Sequence, residues 1–482
     1  MKRTSYILLA ALLSMSVYAQ DFDRLTLANT EIQGTARYVS MAGAFTSLGG
    51  DVSAAVDNPA ALGVFRHGEV SLTGDFTNKR VTAGNSNDYA LRVSVPQVAW
   101  VLHFNHSDRQ KGLLHSSFMF QYHRLQQYNR NSTMQADGAT LSLTDLMANM
   151  TNGLTESSLQ SNDWYLNQDI GTLSKLGYEL YLINPVTADP TKWNSLLNEG
   201  ETVNNKLRLT ESGYYNQYSF SWGCDISNKI YFGLGAELRN ISYGRVADYS
   251  ETFAGGGSFT THTSVVRNGF GFDATFGLIA RPADFLRLGV SYQTPVWMTM
   301  KTRATSSGTS YIDASANFSG TDDSNTDNLY RMPMRVTAGM ALQMSKGVLS
   351  FEYDYQHQPG TKYEDIHKLK AGAEVVIVNN LYLRAGYAFQ SPFLKNEMVF
   401  TPEVNDWRAD TDYRQFLRQH YGSFGLGYRN NFIIAEAAYQ FGYEKSRQYA
   451  FTNSDANLSS MSYDLYAMTH RVVVTLAWTM RR

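Results

Sequence analysis

Cysteine, charge and continuous apolar sequence are all scarce in this chain of 482 residues. The single cysteine, Cys224, excludes a disulfide framework and any multi-cysteine metal or iron–sulfur site. Charged side chains make up 17%, against about 25% in soluble domains. The 41 basic and 43 acidic residues leave a net charge of −2, which lacks the basic footprint of a general nucleic-acid binder. A mean hydropathy of −0.32 excludes a bundle of membrane helices. There is no Gly-x-Ser-x-Gly, no His-Glu-x-x-His and no phosphate-cradling Gly-x-Gly-x-x-Gly between strand and helix, so no catalytic residue is assigned. No metal or cofactor is expected either, since His103 and His106 fall in an expected turn without a carboxylate neighbour.

The only continuous apolar stretch opens the chain. Lys2 and Arg3 precede an apolar run over 6–13, and Val17-Tyr18-Ala19 resembles a cleavage site. Residues 1–19 therefore read as a secretory signal peptide, with export beginning the mature chain at Gln20. No cysteine follows the site, which excludes a lipoprotein anchor.

Glycine (37 residues) and aromatics (63) are abundant, and beyond Gly68 they fall into a period of two. Phe270, Phe272, Ala274, Phe276 and Leu278 alternate with Gly271, Asp273, Thr275 and Gly277, and Val472, Val474, Leu476 and Trp478 alternate with polar or small residues. Such alternation gives a strand one apolar and one polar face. Fourteen such segments are expected, near 69–76, 90–103, 113–127, 214–225, 230–244, 266–281, 286–301, 331–343, 347–357, 368–377, 381–390, 419–429, 432–443 and 469–479. Their connections alternate short and long, the long ones being 77–89, 129–213, 245–265, 302–330, 358–367, 391–418 and 444–468. Tight turns on one side and long loops on the other are the pattern of a transmembrane antiparallel β-barrel, here of about 14 strands in an all-β fold over 67–482. An even strand number puts both chain ends on the short-turn side.

Residues 20–66 are different: Gly34-Thr-Ala-Arg37, then Gly43 to Asp51, then Asp57-Asn58-Pro59-Ala60-Ala61-Leu62. Small residues permit close backbone packing, and Asn-Pro favours a fixed turn. A Gly/Ala-rich leader with an Asn-Pro-Ala turn before fourteen strands resembles the FadL/TodX outer-membrane transporters of hydrophobic compounds. The stretches Leu286 to Tyr292 with Pro295, and Leu381 to Tyr387 with Pro392, look like the same family. The resemblance implies an N-terminal hatch (20–66) inside the lumen, with Asn58, Pro59 and Ala60 shaping its turn and Arg37 pairing with a lumen carboxylate. It implies a monomer in the outer membrane, surrounded by its lipid, passively moving a fatty-acid-like hydrophobic ligand.

The 129–213 loop carries helical signals. Thr144 or Asp145 can start one helix, Asp163 a second, and Asp189-Pro190 a third running through Trp193, Leu196 and Leu197. Its apolar residues Leu143, Leu146, Met147, Trp164, Leu166, Ile170, Leu173, Leu176 and Trp193 are the candidates for ligand capture. In the family, a kink in the third strand is held to open the barrel sideways. Residues 113–128 contain neither Gly nor Pro, so no bulge is expected there, and Pro96 is the nearest such feature. Other readings of the same pattern are a PorV-like secretion-system component holding protein cargo, a haem-binding outer-membrane receptor, and a general porin.

Overall fold

A computed structural model describes residues 30–106, 111–161, 170–312, 315–358, 364–392, 409, 413–453 and 456–480. The expected signal peptide, residues 20–29 of the expected hatch, Asp163, Trp164 and Leu166 lie outside them.

Fourteen antiparallel strands form the wall, one at each place where alternation predicts it. They are β1 (Gly68–Ala83), β2 (Ser86–Asn105), β3 (Leu113–Ala139), β4 (Val203–Ile226), β5 (Ile230–Phe253) and β6 (Ser258–Ala283). Next come β7 (Leu286–Gln293, resumed as Val296–Tyr311) and β8 (Ser315–Met332, resumed as Arg335–Met344). The rest are β9 (Gly347–Gln356), β10 (Ile366–Val378), β11 (Leu381–Gln390), β12 (Tyr413–Arg429), β13 (Ile433–Tyr449) and β14 (Ser462–Met480). Both interruptions hold a proline, Pro295 and Pro333, which cannot donate to a ladder. Each strand pairs with its sequence neighbours, and β14 closes the ring on β1 from Glu69↔Thr479 to Ala83↔Leu465.

The outward face is an apolar band. Phe232, Leu234, Leu238, Phe270, Phe272, Phe276 and Leu278 are exposed on β5 and β6, as are Phe424, Leu426, Val474, Leu476 and Trp478 further round. Tyr218, Leu238, Phe272 and Trp297 lie in one cross-strand row, and Phe272 stacks on Trp297 with ring centres 5.3 Å apart. One row higher the outward residues begin to turn polar, with Asn216 and Asn240, and higher still stand Arg208, Asp248 and His262. Aromatics bounding an apolar belt mark where hydrocarbon ends and headgroups begin.

Above the belt the structure departs from expectation. The expected long connections are largely strands that continue beyond the apolar belt. The 77–89 connection is a two-residue turn at Gly84-Asn85, and 245–265 is a hairpin joining Phe253 to Ser258. Outside the membrane the phase inverts: Val203, Leu207 and Leu209 point inward while Lys206 and Arg208 face water. The alternation persists with opposite sense, so a pattern tuned to apolar-outward strands ends too early. Asp189-Pro190 starts no helix either. Residues Ile183–Val186 and Asp189–Ser195 form a β-hairpin, because the Asp189 carboxylate accepts from Thr191 N at 3.1 Å and fixes a turn.

Residues 30–66 contact strands all the way around the ring from its inner side, so they lie in the lumen. Ala36 N donates to Thr475 of β14 and Phe45 N to Glu352 of β9. Pro59 sits on β4 and β5, and Met41 on β10 and β11. Wall glycines make the fit possible. A Cβ on Gly223 would fall 2.6 Å from Pro59 O, one on Gly372 2.7 Å from Met41 O, and Gly233, Gly277, Gly289 and Gly386 leave no more room. The small-residue phase inside the barrel is thus the imprint of the segment it holds.

This predicts that Gly386→Val leaves the wall able to close, since the belt outside is untouched, but displaces Met41 and Ala42. Overpacking of this kind costs about 1–3 kcal/mol. Heat-modifiable mobility on gels should be retained while trypsin gains access to Arg37; equal protection of Arg37 in the variant would contradict the fit.

Candidate functional site

Ion pairs seat the lumen segment, and buried charge is tolerable only with such partners. Arg37, in the short helix Ala36–Ser40, donates from Nε and Nη2 to Glu374 of β10 at 2.9 and 3.0 Å, and from Nη1 to Gly50 O at 3.0 Å. Glu374 also accepts from Arg384 at 2.6 Å, and Arg384 reaches Glu436 at 3.0 Å. Asn58 caps the 3₁₀ turn Pro59–Val64: its Oδ1 accepts from Ala60 N at 3.0 Å, and its Nδ2 donates to Thr46 O at 2.7 Å. Pro59 occupies the first position of that turn, where a missing N–H is harmless. Ala60 is fully buried. The four residues singled out by resemblance are therefore in one packed segment, Arg37 on the wall's ion network and the other three in a turn against β4–β6.

Three further seats had no signal in the sequence, because the wall residue that makes each, Arg335, Glu352 or Arg471, lies hundreds of positions from its partner. Asp57 accepts from Arg335 at 2.7 Å and from the Tyr38 hydroxyl. Burial pushes the Asp57 carboxyl up, but Arg335, Lys370 and Tyr38 outweigh it and hold the group well below the usual carboxylate range. Glu352 accepts from Phe45 N and Thr46 N at 2.9 and 2.7 Å. Glu31 takes Arg471 at 2.6 Å and Lys79 at 3.4 Å, while its own N–H donates to Leu125 O at 3.2 Å.

That last bond corrects the expectation of an unbroken third strand. In the β3–β4 ladder the register shifts between Arg124 and Gln126, so β3 is bulged at Leu125. The bulge needs no Gly or Pro: the lumen segment satisfies the displaced carbonyl through Glu31, and Gln126 Oε1 also accepts from Glu31 N at 2.9 Å. At the same height the β2–β3 ladder stops. Among the described residues the two strands pair from Asn105↔His115 to Gln97↔His123, and above that β2 pairs with β1 and β3 with β4. Pro96, next to Gln97, has no N–H with which to continue. The strands meet again only at the rim, where Thr133 N donates to Asp88 Oδ2 at 2.7 Å. The result is a side window whose β2 lip is apolar outside, with Leu91, Val93 and Val95 exposed, and whose β3 lip carries Arg124 hydrogen-bonded to Gln127 at 2.9 Å.

Beside the window, inside the barrel, an apolar patch interrupts the polar lumen: Tyr128, Tyr215, Ile241, Tyr243, Val296, Met298, Met300, Tyr330 and Met332, with Leu125 against it. Methionine is unbranched and polarisable and adapts to varied apolar shapes. Polar groups frame it. Arg239 pairs with Asp273 and donates to the Tyr215 hydroxyl at 3.1 Å, and Tyr243 donates to Glu211 at 2.9 Å. Sequence reasoning missed this patch, although Val296-x-Met298-x-Met300 in an inward phase was a visible signal. Between it and the lumen segment lies a cavity of about 80 Å³, lined by Ile32, Tyr38, Asp57, His123, Arg239, Met332, Arg335 and Lys368 among others. This is far below the several hundred Å³ of a drug-sized ligand site, so passage of such a molecule requires the lumen segment or the lid above to move.

The lid is the 140–202 region, with helices Leu143–Thr151, Glu156–Gln160 and Thr172–Glu179 and the hairpin described above. Leu143, Leu146, Met147, Ile170, Leu173, Leu176 and Trp193 are each 5% exposed or less. They pack on one another and on inward wall residues such as Leu207, Phe253, Phe259 and Leu465. They form the interior of the lid, with no exposed apolar surface among them. Glu251 of β5 anchors the lid to the rim: it accepts from Leu143 N at 2.8 Å and from the hydroxyls of Ser142 and Tyr249.

No protein-family model and no curated protein matches the chain. Solved structures do. The CymD monoaromatic hydrocarbon channel aligns at 12% identity over 94% of this chain and 98% of its own, with a TM-score of 0.53. The P. putida toluene transporter TodX aligns at 14% over 94% and 99%, with a TM-score of 0.51. A Pseudomonas aeruginosa FadL homologue aligns at 12% over 94% and 98%, also at 0.51. At these identities the likeness establishes the fold, a closed fourteen-stranded barrel of the FadL/TodX type.

Burial pushes the Glu251 carboxyl, above the membrane belt, up to about 7 against the pull of its three donors. The folded lid thus keeps a proton that the unfolded chain has lost, so its anchoring weakens as pH rises from the ordinary carboxyl range through about 7. Protection factors of the Leu143–Thr151 helix, exchange rates divided by the intrinsic rate at each pH, should fall over that window in the native protein and stay level in Glu251→Gln; a native protection factor independent of pH would contradict it.

Proposed function

We propose that this chain is exported to the Gram-negative outer membrane by its amino-terminal signal sequence and works there, as a monomer, in the passive uptake of hydrophobic small molecules such as long-chain fatty acids. The observation that carries this reading is the Tyr/Met patch, an apolar surface set between a lid and a plug and opening on a window with an apolar β2 lip. A general pore has no use for such a surface: water-filled barrels conduct polar solutes, whereas an apolar ligand needs a dry route. The fold likeness to hydrocarbon channels and to a FadL homologue supports the same class.

In this reading the lid captures the ligand, the patch receives it, and residues 20–66 act as a hatch. Glu31 ties the hatch to the β3 bulge, so a ligand that displaces it frees Leu125 and Gln126 beside the window. Exit is then sideways through this window. Passive transport needs only a concentration gradient.

Bridging Ser94→Cys on β2 to Gln127→Cys on β3 with a bifunctional maleimide should reduce uptake of a labelled fatty acid by about tenfold, the effect of closing a main route. Each single cysteine should leave it unchanged. Cys224 is buried and contributes little background. Unaltered uptake through the bridged barrel would rule out the side exit, and unaltered uptake in cells lacking the protein altogether would rule out transport.

A further inference from the structure

The lipid-facing surface of β12–β14 changes character abruptly with height. Going up, the outward residues are first apolar, with Phe424, Val472 and Tyr439, and then Tyr–His pairs. The Tyr387 hydroxyl meets His420 Nδ1 at 2.8 Å and that of Tyr439 meets His470 Nδ1 at 2.6 Å. Tyrosine and histidine, apolar in body and polar at the tip, fix this level as the headgroup boundary. Ten residues separate Tyr428 at the short-turn end from Arg418, about 33 Å of strand and about 25 Å of height in a tilted membrane barrel.

Directly above stand Arg418, Lys445 and Arg447. Arg418 and Lys445 are cross-strand partners, and Lys445 faces Tyr466 on β14 with its ammonium 5.4 Å from the ring centre. One carboxylate, Asp464, takes Lys445 at 3.0 Å and Arg447 at 3.0 Å and holds the two side chains side by side. Among the described residues the three cations stand at phosphate height with one carboxylate, which bonds two of them. The other outer face at greater height mixes signs: Arg208 neighbours Asp248, which is bound to His262 at 2.6 Å.

We infer that Arg418, cross-strand from Lys445, together with Lys445 and Arg447, which Asp464 holds over the Tyr–His layer, binds the phosphate of a phosphorylated outer-leaflet glycolipid. The inference rests on the outer-membrane placement proposed above, but not on transport. Juxtamembrane basic clusters recognise anionic headgroups through this combination of level and charge. The lipid's acyl chains would lie along Phe424, Phe441 and Val472, and its phosphate would sit among the three cations. A bound lipid would also brace β12–β14, the part of the wall whose inner face carries Arg471 and Glu436 of the hatch's ion network.

Titration of the purified barrel in detergent with a diphosphorylated diglucosamine glycolipid and with its enzymatically dephosphorylated form, followed by native mass spectrometry, tests this. The phosphorylated lipid should bind about tenfold more tightly, as expected for a few juxtamembrane cations, and millimolar inorganic phosphate should not displace it. In R418Q/K445Q/R447Q the preference should vanish, while K206Q/R208Q keeps it. Equal binding of the two lipids by the native protein overturns the proposal without any variant, as does displacement by free phosphate, which would mark a phosphate site rather than a lipid site. Loss of this preference would leave fatty-acid uptake unaffected, so the two readings fail separately.

Discussion

Hydrocarbon offers the backbone no partners, so a sheet that crosses it has to close on itself and turn its apolar side chains outward. Everything distinctive about this protein follows from what that closure leaves inside. Fourteen strands enclose a space too wide for wall side chains alone to fill, and the chain fills it with its own leading residues. They are held by ions: Arg37 on Glu374, Asp57 on Arg335, Glu31 on Arg471. An apolar seam adds to them: Met41, Phe45 and Leu62 of the segment share one buried cluster with Ala99, Val101 and Ala388 of the wall.

The same segment shapes the wall. Inward glycines are positions where its backbone lies against a strand, and the β3 bulge is a strand distortion maintained by Glu31. Plug and window are one device, because the residue that completes the bulge also belongs to the plug. Above it the buried apolar interior of the lid and the Tyr/Met patch form two further cores, separate from the one the lumen segment makes with the wall.

Much of this was legible in the sequence. All fourteen strands lie where a period of two placed them, since the membrane imposes one phase on each: Phe270, Phe272 and Phe276 outward, Asp273 and Gly277 inward. The Asn58-Pro59 turn was equally visible. The pattern failed where its physical cause ended. Beyond the headgroups nothing requires apolar residues outside, so Lys206-Leu207-Arg208-Leu209 read as loop although it is strand. Trp193 read as helical because a Pro-initiated helix and an Asx-turned hairpin share their first residues. The β3 bulge and the partners of the ionic seats were invisible for another reason: Glu31 meets Leu125, and the lumen carboxylate that the resemblance implied for Arg37 becomes Glu374, only after folding.

The central claim is that an apolar molecule occupies the lumen between lid and hatch. Co-crystallisation with a bromine-labelled fatty acid tests it most directly, because anomalous scattering locates the label without ambiguity. The account predicts a peak among Met298, Met300 and Met332, with Glu31 displaced from Leu125. Bromine found only along the lipid-facing belt, with the lumen unchanged, would contradict it.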